Sequence, residues 1–255
     1  MKVMNDWKVI KLGGSLLSPY ETASRSLQLG QLPFDTEYAK ELLAEVKKSG
    51  KKIVFIVGGG FLNRWYLQQF RELKFDKPET VTDFHYLGMA ASDINAILFR
   101  ILAGEIFGFE NVYPTVVKYD QYNHLREESI EFEKYQVIVA AGWKPGHSHD
   151  VDALMFSALF NTGKMFSFKN IDGIYSADPK QYPTAMKKKS LKWAAYRDII
   201  KVTTHKPGAS FPVDAIAAQL AERMNKQVVV IDGRDMRAVR EVLMDDLTTR
   251  GTTIT

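Results

Sequence analysis

The sequence predicts an α/β protein: a mainly parallel sheet with helices over both faces. Short apolar runs rich in β-branched residues alternate with segments of helical spacing, and strands separated by helices imply βαβ crossovers. Two of the runs also end abruptly on glycine, as strands do where the backbone must turn tightly or lie open to a ligand.

The elements follow in order. "WKVIKL" at 7–12 is the first strand and runs into Gly13 and Gly14. Residues 18–35, "SPYETASRSLQLGQLPFD", are polar and turn-rich and predict a loop, mobile or lid-like. Residues 36–49 have helical spacing, with Asp35 as N-cap and Gly50 as the stop. "KIVFIV" at 52–57 is the second strand, followed by Gly58, Gly59 and Gly60 and by helices near 61–72 and 86–106. An irregular, charged and aromatic stretch at 118–135 precedes the strand "YQVIVAA". A helix near 150–162, the strand "KMFSF", a helix near 212–225, the strand "QVVVID" and a helix near 234–245 complete the pattern. Without a linker or internal repeat, the expectation is one domain over 1–255, with halves at about 1–145 and 146–255.

Composition removes several function classes. The absence of cysteine excludes disulfides, thiolate metal sites and a cysteine nucleophile, and suits a reducing cytoplasm. The N-terminal residues lack a signal-peptide apolar run, and no stretch approaches the roughly 18 apolar residues of a membrane span. The net charge of +4 comes from scattered lysines. Their one cluster, "KKK" at 187–189, reads as a solvated face rather than a nucleic-acid footprint. The expectation is a cytoplasmic protein with neither nucleic acid nor membrane as partner.

The glycine joins carry the chemistry. Glycine at a buried strand end permits positive φ and removes a Cβ that would block an anion, while backbone N–H groups and the next helix N-terminus attract one. Either cluster alone is equally a tight turn, but two of them on neighbouring strands can hold two phosphoryl groups face to face. Neither matches the P-loop or dinucleotide fingerprint. Lys11 precedes the first join and Arg64 follows the second; a strand-end lysine can stabilise charge on a transferring phosphoryl group, or simply face solvent.

"KLGGS", "VGGGFLNR", "PGHSHD", "NIDGIYSADP" and the C-terminal "GTTI" occur in the order found in the amino acid kinase family, which the chain resembles over nearly its whole length. Within that family it is most similar to the uridylate (UMP) kinases of archaeal type. The resemblance implies a three-layer αβα sandwich of the carbamate-kinase-like kind, with ATP on the C-terminal half and the acceptor on the N-terminal half. It places Lys11, Gly13, Gly14 and Ser15 along the donor phosphates, with Gly60 and Lys169 near them, and Asn170, Tyr175 and Asp178 around adenine and ribose. It places Gly58, Gly59 and Arg64 at the acceptor phosphate, and His85, Gly88, Ser148 and His149 along the rest of the acceptor. Asp150 falls where the family orients its catalytic lysine, so Lys11, Asp150 and Arg64 are the candidate catalytic residues. It also implies Mg²⁺ carried mainly by the ATP phosphates and a homo-oligomer, a hexamer by family habit.

Three residues depart from the family pattern. His85 replaces the aspartate that holds the acceptor ribose, with Asp83 as a substitute if the helix begins differently; Lys169 replaces a threonine; and His149 replaces another. His147, His149 and His85 can converge, but no third metal ligand accompanies the close-spaced pair. His124 and His205 read as surface residues, Asp152 as lying on a different helix face from Asp150, and Trp143 as stacking on a base or packing inward. Pro212 reads as first-turn proline of the late helix. The leading function is ATP-dependent phosphorylation of UMP. The alternatives are another small phosphate (such as isopentenyl phosphate) or carboxylate acceptor, and non-catalytic ATP-linked oxoanion storage of the molybdenum-storage kind.

Overall fold

The computed structural model describes residues 7–74, 77, 80–119, 132–179, 181–201, 211–245 and 249–255. Its N-terminal elements are β1 (Trp7–Leu12), α1 (Gly14–Leu17), α2 (Tyr20–Gln28), α3 (Thr36–Ser49), β2 (Lys52–Val57), α4 (Gly60–Glu72), α5 (Val81–Phe107) and β3 (Val137–Ala140). Then follow α6 (His149–Leu159), β4 (Lys164–Lys169), β5 (Ile174–Tyr175), β6 (Lys187–Lys188), β7 (Ser190–Leu191) and α7 (Trp193–Ile200). The last are α8 (Ala215–Arg223), β8 (Gln227–Asp232), α9 (Met236–Asp245) and β9 (Thr252–Ile254).

A seven-stranded sheet runs β3-β2-β1-β4-β8-β9-β7. Neighbours from β3 to β8 are parallel, and β9 joins β8 in the antiparallel sense. The side-chain alternation of each strand splits the core in two. Ile10, Phe55, Val139, Phe166 and Val229 face α3, α5 and α9; Val9, Val54, Ile138, Met165 and Val228 face α6, α7 and α8. Each such side chain taken fully from water contributes about 1.5–3 kcal/mol. A one-residue slip would exchange the faces of an entire strand, so the apolar pattern fixes the register. The expected αβα layering is therefore present, and strands from both halves share one sheet.

The chief departure from expectation lies at 18–35, where α2 forms instead of a loop. It buries only Ala23; its signs were the spacing of Tyr20, Ala23 and Leu27, Pro19 at the N-cap, Glu21 in the first turn and Gly30 at φ 67° beyond its end. Helix α5 begins at Val81, earlier than predicted. One 18-residue window of α5 also has the composition of a membrane span, against the expectation that none would; here it packs on β2 and β3 through residues such as Ala96, Phe99 and Ala103. Helix α8 starts at Ala215, with Pro212 outside it, because the Asp214 carboxylate caps the N–H groups of Ile216 and Ala217. Helix α7 and the short strands β5 to β7 were not foreseen. The lysine run at 187–189 is not simply a solvated face, since Lys187 and Lys188 form β6 and Lys187 pairs with Asp172 at 3.0 Å. His124, His205 and most of 118–135 lie outside the described residues.

Candidate active site

The chain leaves β1 and β4 in opposite directions, to β2 on one side and to β8 on the other. Such a switch point opens a crevice at the carboxyl ends of its strands, and a cleft of about 230 Å³ lies there. Lys11 near the end of β1 and Lys169 at the end of β4 have the same parity as Val9 and Met165, so both project toward the α6 face.

The glycine joins meet across this opening. A Cβ at Gly14 would land on the Gly60 nitrogen and the Gly58 carbonyl, and one at Gly60 on the Gly14 carbonyl. Gly60 also sits at φ 58°. The first requirement for glycine here is thus the close approach of the two turns to each other, not only space for a ligand. Gly13 and Gly58 donate their N–H groups to Phe168 O and Leu12 O, at 2.9 and 3.0 Å, so donors for an anion come from later in each turn. Gly60 opens the 13-residue α4, whose N-terminus faces the cleft.

Asp150 organises the charge. It lies in the first turn of α6, which Ser148 caps by accepting from Val151 N–H. Lys11 Nζ stands 3.5 Å from its Oδ1 and Lys169 Nζ 3.6 Å from its Oδ2, while Asp214 N–H donates to Oδ2 at 3.1 Å. Burial opposes the carboxylate charge, but Lys11, Lys169, the Asp214 N–H and His149 outweigh it and hold Asp150 below the usual range. Burial and the neighbouring Lys11 ammonium hold Lys169 well below the ordinary lysine range, against the pull of Asp150. Lys169 also donates to Phe211 O at 2.6 Å. Among the described residues Oδ1 of Asp150 accepts no hydrogen bond, so Lys11 is held to it by charge across 3.5 Å.

The opposite wall carries Arg64, His85, Gly88, His147, Ser148 and His149, all lining the same cleft. Burial lowers the Arg64 pKa below its ordinary value, and no carboxylate among the described residues pairs with it. The three histidines therefore converge as expected; among the described residues no three His, Asp or Glu side chains group as a metal site. Asp83 is exposed and off the cleft, so the earlier start of α5 does not bring it in as a substitute for His85. Trp143 packs edge-on against Tyr119 and His147, at 5.0 and 4.9 Å, instead of lining the cleft.

Residues 6–232 match the sequence profile of the amino acid kinase family. The chain belongs to that family. Among curated family members it is 30% identical to the uridylate kinase of Methanocorpusculum labreanum over 236 residues, covering 92% of this chain and 90% of the relative. It is 29% identical to that of Archaeoglobus fulgidus over 234 residues, covering 92% and 94%. The crystal structure of the Archaeoglobus fulgidus uridylate kinase superposes with a TM-score of 0.70 at 26% identity, covering 97% of this chain and all of that one. The UMP kinase of Bacillus anthracis shares the fold at a TM-score of 0.72 and 18% identity.

Most residues that the sequence assigned to this kinase site meet in the cleft: Lys11, Gly13, Gly14, Ser15, Lys169 and Asn170 on one side, and Gly58, Gly59, Gly60 and Arg64 on the other. Tyr175 and Asp178 do not line it. The Tyr175 hydroxyl donates instead to Asp172, 3.1 Å away, and Asp178 is exposed beyond β5. Sequence reasoning missed Asp214, whose "FPVD" setting looked purely structural although its N–H holds Asp150 and the residue lines the cleft. It also missed Asn63 and Lys144, which line the same cleft and whose only signal was adjacency to Arg64 and to the "PGHSHD" turn.

Proposed function

We propose that this chain is an ATP-dependent uridylate kinase, transferring the terminal phosphoryl group of ATP to UMP to give UDP and ADP. An oxygen of the UMP phosphate forms the new P–O bond, and the bridging P–O bond of ATP breaks with its electrons leaving on ADP. The relatives' shared name supports the acceptor, and the Lys11–Asp150–Lys169 cluster between the two glycine turns is the observation that carries the reaction. The nucleophile is already ionised at neutral pH, so alignment and charge stabilisation matter more than a protein base.

In this reading Lys11 neutralises charge building up between donor and acceptor phosphates, with Lys169 as a second cation on the donor side. Asp150 sets the position of both ammoniums. Arg64 takes the acceptor phosphate, and Asn170 lies toward the nucleoside of ATP. The cleft carboxylates, Asp150 and Asp214, are engaged by lysines and by the α8 cap, which does not suit a resident Mg²⁺; the ion belongs on the ATP phosphates as part of the substrate. Self-association into the hexamer that the resemblance implies is part of the same proposal; the outward row Ile94, Ile97 and Ile101 on α5 offers apolar surface for it.

The test is ADP release from ATP and Mg²⁺ with UMP, CMP, isopentenyl phosphate or acetylglutamate offered singly. Turnover with UMP is expected. Turnover confined to a non-nucleotide acceptor, or none at all with metal bound to the purified protein, overturns the reading.

A further inference from the structure

Arg64 lacks a carboxylate partner among the described residues, yet it is half-buried and faces the cleft. A long side chain in that state needs something other than an ion pair to hold it in place. What lies against it is the ring of Tyr20, with the guanidinium carbon 6.0 Å from the ring centroid. Tyr20 is the first residue of α2, in the segment whose sequence reads as a loop.

That ring is itself held at two points, and the backbone before it at a third. Its edge meets Phe61 at 5.3 Å. Its hydroxyl donates to Gln68 Oε1 at 3.0 Å, and Gln68 Nε2 donates in turn to Glu72 at 2.9 Å. Just upstream, Ser18 O accepts from Phe61 N–H at 3.0 Å, tying the entry of α2 to the first turn of α4. Phe61, Arg64 and Gln68 all belong to α4, so ring and guanidinium are referenced to one rigid helix. A planar cation over an aromatic face is attracted by the ring quadrupole and keeps its N–H edges free for an anion.

We propose that Tyr20 is a positioning residue for the acceptor: its ring is a shelf that holds Arg64 with its donors turned to the acceptor phosphate. This rests on the placement of the acceptor at Arg64. The shelf substitutes for a carboxylate, which would fix the arginine but also neutralise it and compete with the incoming phosphate. It gives α2 a function in substrate binding although the helix buries little.

The test is steady-state kinetics with UMP and ATP varied in turn, for Tyr20→Phe, Tyr20→Leu, Arg64→Ala and the Tyr20→Leu/Arg64→Ala double variant. Tyr20 is 39% exposed, so its truncation leaves the core intact. Tyr20→Leu is expected to raise the KM for UMP about fivefold, with kcat and the KM for ATP within about twofold. Tyr20→Phe keeps the ring and stays within about twofold of the parent, and in the Arg64→Ala background the Tyr20→Leu change adds nothing. An unchanged KM for UMP in Tyr20→Leu, beside a raised one in Arg64→Ala, overturns the shelf alone. An equal penalty with and without Arg64 also overturns it. An unchanged KM for UMP in Arg64→Ala removes the acceptor placement and the shelf with it.

Discussion

Lys11 and Lys169 stand on adjacent parallel strands and share one buried carboxylate, with Nζ atoms 3.5 and 3.6 Å from the two oxygens of Asp150. Lys11, Lys144, Lys169 and Arg64 line this cleft beside only two carboxylates, Asp150 and Asp214, so its lining favours an anion. Such a site is electrostatically incomplete without an anion, and the phosphates of a nucleotide supply one.

Replacing Lys11 by methionine keeps the stem and removes the charge. If that charge acts chiefly on the transition state, as proposed, kcat should fall by about 10²–10³ with little change in melting temperature. An ADP-release assay beside a thermal melt checks both, and undiminished turnover would take Lys11 out of the chemistry.

Asp150→Asn acts differently. It leaves Lys11 and Lys169 without their shared buried counter-ion, and breaking a buried pair from one side costs about 3–5 kcal/mol. Denaturant titration should show a loss of that order alongside reduced turnover; stability equal to the parent's would mean that the lysines do not depend on Asp150.

Asp152, buried in the same first turn of α6 as Asp150, bears on pH dependence. Burial, only partly offset by the Trp143 N–H and Lys118, pushes its pKa from 3.8 up to about 7. A folded-state acid with a raised pKa binds its proton more tightly than the unfolded chain does, so its contribution to stability declines as pH climbs from about 4 to about 7. Lys169, held low, contributes the opposite slope above neutrality, so the comparison is between variants. Relative to the parent, Asp152→Asn should gain on the order of 2–4 kcal/mol between about pH 4.5 and pH 8 in denaturant titrations. Parallel profiles for the two proteins would contradict this.

The glycine contact makes a structural prediction. A Cβ at Gly14 meets backbone of the second turn, which has no flexible side chain to swing aside, whereas one at Gly163 meets nothing within 4 Å. Gly14→Ala should cost about 2–4 kcal/mol or prevent folding, and Gly163→Ala should stay within about 1 kcal/mol of the parent. Equal melting temperatures for the two would refute the close-approach argument.

The core strands were legible in the sequence because both faces of a parallel sheet are buried and the runs are continuously apolar. So was most of the cleft, since Lys11, the glycines, Arg64 and Asp150 sit in local motifs tied to strand ends. Helix α2 was not, because its apolar positions Tyr20, Ala23 and Leu27 are few and sit among polar residues between Pro19 and Gly30 that read as a turn-rich loop. Asp214 was missed for another reason: its contact with Asp150 spans 64 residues of sequence, and only its capping role is local. Tyr175 and Asp178 fit the motif but do not line the cleft; the Tyr175 hydroxyl goes to Asp172, which Lys187 on β6 also holds.

The most direct measurement is a crystal structure with a non-hydrolysable ATP analogue and UMP bound together. The account predicts the donor's terminal phosphate between the Gly14 and Gly60 turns, within hydrogen-bond reach of Lys11 Nζ, with the UMP phosphate against Arg64. A terminal phosphate remote from Lys11, or UMP seated away from Arg64, would contradict it.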